Sequence, residues 1–156
     1  METSTSLTIE TKLQILKPAA EVFEAIVDPA KMSNYFISQG SGRMEEGRLL
    51  HWRFPEFDME FPIRVGSIIK DSFISYFWTI DNEELLVEIL LTPVAGDATI
   101  VTVTEKSRNN DEAGLRWLKQ NTEGWANFLA CLKAWLEYGI NLRKGAFDFL
   151  KIYKPI

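Results

Sequence analysis

The chain has 156 residues, 46% hydrophobic and 25% charged, with 17 basic against 22 acidic side chains and a formal net charge of −5. That composition predicts one globular domain over residues 1–156 with a single sizeable core, and the acidic balance argues against nucleic acid as a partner, since such binding rests on a basic surface. The single cysteine, Cys131, makes no internal disulfide, METSTSLTIE lacks the features of a signal peptide, and no apolar run approaches the roughly 18 residues that span a bilayer, so a cytoplasmic protein without a membrane span is expected.

In chain order, Leu7, Ile9, Thr11, Leu13 and Ile15 alternate with Thr8, Glu10, Lys12 and Gln14, the pattern of a half-buried strand. The period then becomes helical: Pro18 suits a first turn, Val22, Phe23, Ile26 and Val27 follow at helical spacing, and Asp28-Pro29 ends the run. A second short helix is expected over Lys31 to Phe36. From Gly42 to Ser107 turn signals punctuate a meander of strands. These are Arg43 to Glu45, Arg48 to Phe54, Met59 to Val65 with a bulged continuation at Ile68 to Asp71, Phe73 to Ile80, Leu85 to Thr92 and Ala98 to Glu105. Phe73 to Ile80 is apolar on both faces. Residues 109–120 read as a loop and weak helical turn, with Asn109 and Glu112 at capping-box spacing.

The long helix is expected over Thr122 to Arg143. Trp125, Phe128, Leu129, Leu132 and Leu136 form one stripe that must be buried, with Thr122 as N-cap and Gly145 as a left-handed stop. Gly124 in the first turn costs roughly 1 kcal/mol relative to alanine, which predicts close approach of another backbone there. An antiparallel sheet with one apolar face buries that face by curling around such a stripe. The fold class is therefore α+β, a helix-grip with six or seven curved strands around the long C-terminal helix and two short helices after the first strand.

At three places the residues become more specific: Pro18-Ala19-Ala20-Glu21-Val22-Phe23 after the first strand, Tyr76-Phe77-Trp78 in the meander, and Glu123-Gly124-Trp125 followed by Leu129, Leu132-Lys133 and Leu136-Glu137. In these the sequence resembles the START-like SRPBCC superfamily, and within it the family named for the activator of the heat-shock-protein-ninety ATPase. The resemblance spans about residues 7–142. It implies a START/Bet v-like cavity between helix and sheet that takes a small hydrophobic or lipid-like molecule, with Trp52, Met59, Phe61, Phe77, Trp125, Phe128 and Leu132 as candidate walls. The competing expectation is that these side chains simply fill the core. The family name also implies a co-chaperone-like module that stimulates a heat-shock chaperone ATPase under stress, although the chaperone-binding domain of the two-domain eukaryotic activators is not in this sequence. Two stretches depart from the family pattern: Glu105-Lys106-Ser107-Arg108, where many members carry a histidine or glycine, and the tail GAFDFLKIYKPI.

Catalytic patterns are sparse. His51 and Cys131 stand on different elements and make no zinc-ligand spacing, so no metal or other cofactor is assigned. His51 reads as a structural or surface histidine, Cys131 as a small core residue, and Glu88 as facing outward from its strand. A cyclase or hydrolase would require His51 and Glu88 to converge on one internal cavity. The acidic pairs Glu45-Glu46, Glu83-Glu84 and Asp111-Glu112 fall at turns or helix starts and read as solvated. In the tail from residue 144 to 156, Phe147, Phe149, Leu150, Ile152 and Tyr153 need an apolar partner, either the protein's own sheet or a second copy in a homodimer.

Overall fold

The computed structural model describes residues 5–152. Seven antiparallel strands form one curved open sheet in the order β1-β7-β6-β5-β4-β3-β2. They are β1 Ser6–Ile15, β2 Gln39–Gly40, β3 Leu49–Arg53, β4 Glu60–Ile69, β5 Phe73–Ile80, β6 Glu83–Val94 and β7 Ala98–Asn109. Helices α1 Ala19–Val27 and α2 Pro29–Met32 follow β1, the 27-residue α3 Glu112–Tyr138 follows β7, and the short α4 Phe149–Ile152 comes last. This is the α+β helix-grip arrangement, with the period-two pattern deciding which residues meet the helix. Ile9 and Ile15 of β1, Leu85, Val87, Ile89 and Leu91 of β6, and Val101 and Val103 of β7 are all buried. Between β5 and β6, Asp81 and Asn82 take φ of 50° and 65°, the left-handed pair that a two-residue hairpin loop requires. The bulge foreseen in the fourth strand lies between Val65 and Ile68.

Two early segments differ from the sequence pattern. Arg43 to Glu45 is not a strand, because the Met44 N–H donates to the Val27 carbonyl at 3.0 Å and Arg43 makes two hydrogen bonds to Glu24, at 2.8 and 2.7 Å, which hold this stretch to α1. The partner of β3 is instead Gln39–Gly40. Helix α2 begins at Pro29 because the Asp28 carboxylate accepts the Ala30 N–H at 2.9 Å, and its turns run on to Phe36, whose N–H donates to the Met32 carbonyl at 2.9 Å.

The long helix is displaced from its expected ends. Asp111, not Thr122, is its N-cap, accepting the Gly114 N–H at 2.7 Å. The apolar stripe extends backward through Trp117 but is interrupted by Asn121, whose amide donates to Glu105 at 2.9 Å. That polar position on the buried side broke the periodicity. The helix stops at Gly139, with φ of 66°, where the Gly139 N–H donates to the Trp135 carbonyl at 2.9 Å and the Ile140 N–H to the Ala134 carbonyl at 3.2 Å. Gly145, also left-handed, lies in a later turn.

Gly124 is exposed, and a Cβ added there meets nothing within 4 Å, so the close approach expected at this glycine is absent. It occurs at Gly114, where a Cβ would stand 1.8 Å from the Asn109 carbonyl oxygen. Gly114→Ala should therefore lower stability by about 3 kcal/mol, whereas Gly124→Ala should raise it by about 0.5–1 kcal/mol by removing helix-interior glycine, both read from urea midpoints. Equal effects would contradict the placement of α3 against the end of β7.

Near its other end α3 is tied to β1. Glu137 accepts the Leu16 N–H at 2.9 Å and the Lys133 ammonium, which also donates to the Gln14 carbonyl at 2.9 Å. Burial pushes the Glu137 carboxyl up, but the Leu16 N–H, the Lys133 hydrogen bond and the charges of Lys133 and Lys17 together outweigh it and hold the group below its ordinary 4.5. A depressed folded value means that this stabilisation is complete above pH 4.5 and is lost as pH falls through the folded value. Urea midpoints of Glu137→Gln should accordingly fall less steeply than those of the native chain below that pH; parallel declines would rule the linkage out.

Candidate ligand site between the long helix and the sheet

The inward positions of three neighbouring strands are aromatic: Trp52 and Phe54 at the end of β3, Phe61 in β4, and Tyr76 and Trp78 in β5. Their rings meet mostly edge to face, at centroid separations of 5.2 Å for Trp52 and Tyr76, 5.3 Å for Tyr76 and Trp78, and 5.4 Å for Phe54 and Phe61. From α3, Trp125 and Phe128 face this wall, 5.3 Å apart, and Trp125 lies 5.7 Å from Trp78. Phe36 enters from the turn after α2. Its ring touches four others, at 6.0 Å from Trp52, 5.2 Å from Phe54, 6.1 Å from Trp125 and 4.8 Å from Phe128. Phe36 is partly exposed and is carried by no strand or long helix.

Behind the rings lies one carboxylate. Glu105 of β7 has 0% exposure and continues the inward series of Val101 and Val103. Its Oε2 accepts the Trp78 indole N–H at 2.7 Å, and its Oε1 accepts Asn121 Nδ2 at 2.9 Å and the Trp125 indole N–H at 3.1 Å. Among the described residues Glu105 has no ion-pair partner. Among the described residues three other buried polar atoms find no protein partner: the Tyr76 hydroxyl, Trp117 Nε1 and Thr11 Oγ1. Burial, then the nearby charge of Glu105, pushes the Tyr76 phenol well above its ordinary range.

The structure brings together Trp52, Phe61, Trp125 and Phe128 of the expected walls, with Leu132 buried farther along α3. Met59 precedes β4 and is 57% exposed, outside the ring cluster. Phe77 is a correction: it projects from the outer face of β5, under the Arg64 guanidinium at 4.1 Å. There it lines an open cleft of about 540 Å³ with Glu46 and Glu88. Because β5 is apolar on both faces, alternation alone could not choose the inner one. Sequence reasoning missed Phe36, Phe54, Tyr76, Trp78, Asn121 and Glu105. For Glu105 a signal existed, since it follows Val101 and Val103 at the inward parity of its strand.

The polar candidates do not converge. His51 is exposed on β3, and Glu88 pairs with Lys106 at 2.7 Å on the outer face, so neither meets the interior as a cyclase or hydrolase would need. Burial pushes the Cys131 thiol up, with the charge of Arg143 opposing. Among the described residues no group of three or more His, Cys, Asp or Glu could hold a metal, and no helix is long and apolar enough to cross a membrane. Just before the tail, Arg143 makes two hydrogen bonds to Glu56 of the β3–β4 loop, at 3.2 and 2.6 Å, with side chains 14% and 5% exposed. Its guanidinium also lies 5.5 Å from the ring of Phe54 and 5.1 Å from that of Phe147. Phe149 and Leu150 stay exposed, and Tyr153 lies outside the described residues.

Residues 17–137 match the family described as Activator of Hsp90 ATPase homolog 1-like protein. The chain belongs to this family. Among solved structures, the protein SSP2350 from Staphylococcus saprophyticus is 33% identical, with a TM-score of 0.76 over 88% of this chain and 96% of that one. DynU16, a putative protein in the dynemicin biosynthetic locus, is 25% identical, with a TM-score of 0.76 over 85% of this chain and 48% of that one. The Aha1 dimer from Colwellia psychrerythraea, 17% identical, shares the fold, with a TM-score of 0.73 over 85% of this chain and 98% of that one. No curated protein matches.

In this member of the Aha1-like family, Glu105→Ala would leave three N–H donors facing an apolar gap. With Asn121 and Trp78 partly reached by solvent, we expect a loss of about 3 kcal/mol in urea denaturation and altered Trp78 and Trp125 indole N–H resonances. Unchanged stability and resonances would show that these contacts do not hold helix to sheet.

Proposed function

We propose that this chain binds a small, largely aromatic hydrophobic molecule between α3 and the inner face of the sheet, in the space that Phe36 fills. The observation that carries the reading is the position of Phe36: one ring from a turn, in contact with four rings from β3 and α3. A ligand ring in its place would keep the same edge-to-face contacts while Phe36 turns outward, so the exchange costs little packing. The family supports it, since proteins of this fold commonly bind hydrophobic ligands. Trp52, Phe61, Trp125 and Phe128 form the wall, and Leu132 supports it from behind. The buried thiol of Cys131 suits a reducing cytoplasm.

Native mass spectrometry of gently purified protein should show an added mass that leaves on organic extraction, and the purified chain should bind 1-methylnaphthalene with shifts of the Trp52 and Trp125 indole resonances. Phe36→Ala should bind it at least tenfold more tightly, at a cost in stability of about 3 kcal/mol. A bare chain that binds no 1-methylnaphthalene in either form overturns the reading. The family description favours one alternative, a surface that stimulates a heat-shock chaperone ATPase. Chaperone turnover with and without this chain tests it, and no change eliminates it. The same mass spectrum reports whether the chain, like its relative from Colwellia psychrerythraea, is a dimer.

A further inference from the structure

Glu105 sits at the inner end of the aromatic wall without a counter-ion among the described residues, its neighbours across the sheet being Ile9 and Val87. Its three hydrogen bonds all come from neutral N–H groups, two to Oε1 and one to Oε2. A carboxylate offers roughly four acceptor positions, so Oε2 retains one. A carboxylate wholly out of water is costly unless its charge is balanced, and here only neutral donors from α3 and β5 do so. The second observation is the Tyr76 hydroxyl. Tyr76 is 1% exposed, feels the charge of Glu105, and its hydroxyl finds no protein partner. Its ring lies between Trp52 and Trp78, 5.3 Å from the latter, and it is the Trp78 indole N–H that donates to Glu105 Oε2, so one ring connects Tyr76 to the carboxylate.

We propose that Glu105 and Tyr76 form the polar end of the ligand site and select a molecule whose aromatic body carries an amine or other strong N–H donor. This rests on the reading of the site given above and adds the chemical class of the ligand. One N–H of the head group donates to Glu105 Oε2 and a second to the Tyr76 oxygen, while the ring lies against Trp52, Trp125 and Phe128. A carboxylate-bearing ligand of the same shape would bring a second negative charge beside Glu105 and is excluded. Direct hydrogen bonding in a water-poor site gives the discrimination that apolar walls alone cannot.

The experiment compares three probes with one naphthalene body, 1-methylnaphthalene, 1-naphthylmethylammonium and 1-naphthylacetate, by calorimetric titration of the full chain. We expect the ammonium to bind at least tenfold more tightly than the hydrocarbon, and the acetate at least tenfold more weakly. In Tyr76→Phe, which keeps the ring and folds without a new unpaired group, the ammonium should lose about threefold or more and the hydrocarbon should be unaffected. In Glu105→Gln the ammonium and hydrocarbon should bind within threefold of each other. Equal binding of all three probes to the native chain, or an ammonium preference untouched in both variants, overturns the assignment of the head group and leaves the aromatic site standing. Failure of all three to bind overturns both.

Discussion

The contact on which the architecture turns is the one between Glu105 and the N–H groups of Trp78, Asn121 and Trp125. A curved sheet and an amphipathic helix attract each other through apolar area, but that attraction has no direction and tolerates sliding. Two hydrogen bonds from α3 to one carboxylate fix the rotation of the helix about its axis and its height along β7, and a third, from Trp78, ties β5 to the same group. They also bring an aromatic ring from β5 and one from α3 to 5.7 Å of each other, on which the rest of the wall is assembled. The arrangement carries a specific cost, because a half-satisfied buried carboxylate is worse than none. The registry of the helix on the sheet therefore depends on polar groups inside an otherwise apolar interior.

Around that contact the interior divides into two kinds of packing. Toward β1, α3 lays Leu129 and Leu132 on a core of branched aliphatic side chains and is locked by Glu137 and Lys133 to the end of the strand. Toward β3 to β5 the fill is aromatic, with flat rings meeting at edges. Branched aliphatics interlock from all sides, so exchanging one demands rearrangement of many neighbours. Rings carried by a turn can swing as units, and Phe36 is the ring in that position. The fold thus places its replaceable side chain on the side of the helix where replacement disturbs least.

Much of the fold was legible from the residues. Period-two alternation and turn signals located the strands, and the stripe from Trp125 to Leu136 announced the helix that the sheet grips. What escaped had a common physical origin: buried polar groups interrupt the patterns by which burial is recognised. Asn121 hid the first ten residues of α3, and Glu105 looked like the end of a strand when it is the middle of its inner face. Phe77 failed for the opposite reason, since a strand apolar on both sides carries no signal of which side is in. Phe36, the ring that meets four others, was beyond reach because it lies in a turn and belongs to no periodic run.

The family match ends at residue 137, and Arg143, six residues later, holds the β3–β4 loop through Glu56 and lies over the ring of Phe54. A loop at the rim of the aromatic wall is thus anchored by chain beyond the long helix. The stiffness of that rim is therefore set from the segment after the helix and not by the sheet or the helix that carry the rings. A change at Arg143 or Glu56 would loosen the approach to the interior while leaving every ring of the interior in place.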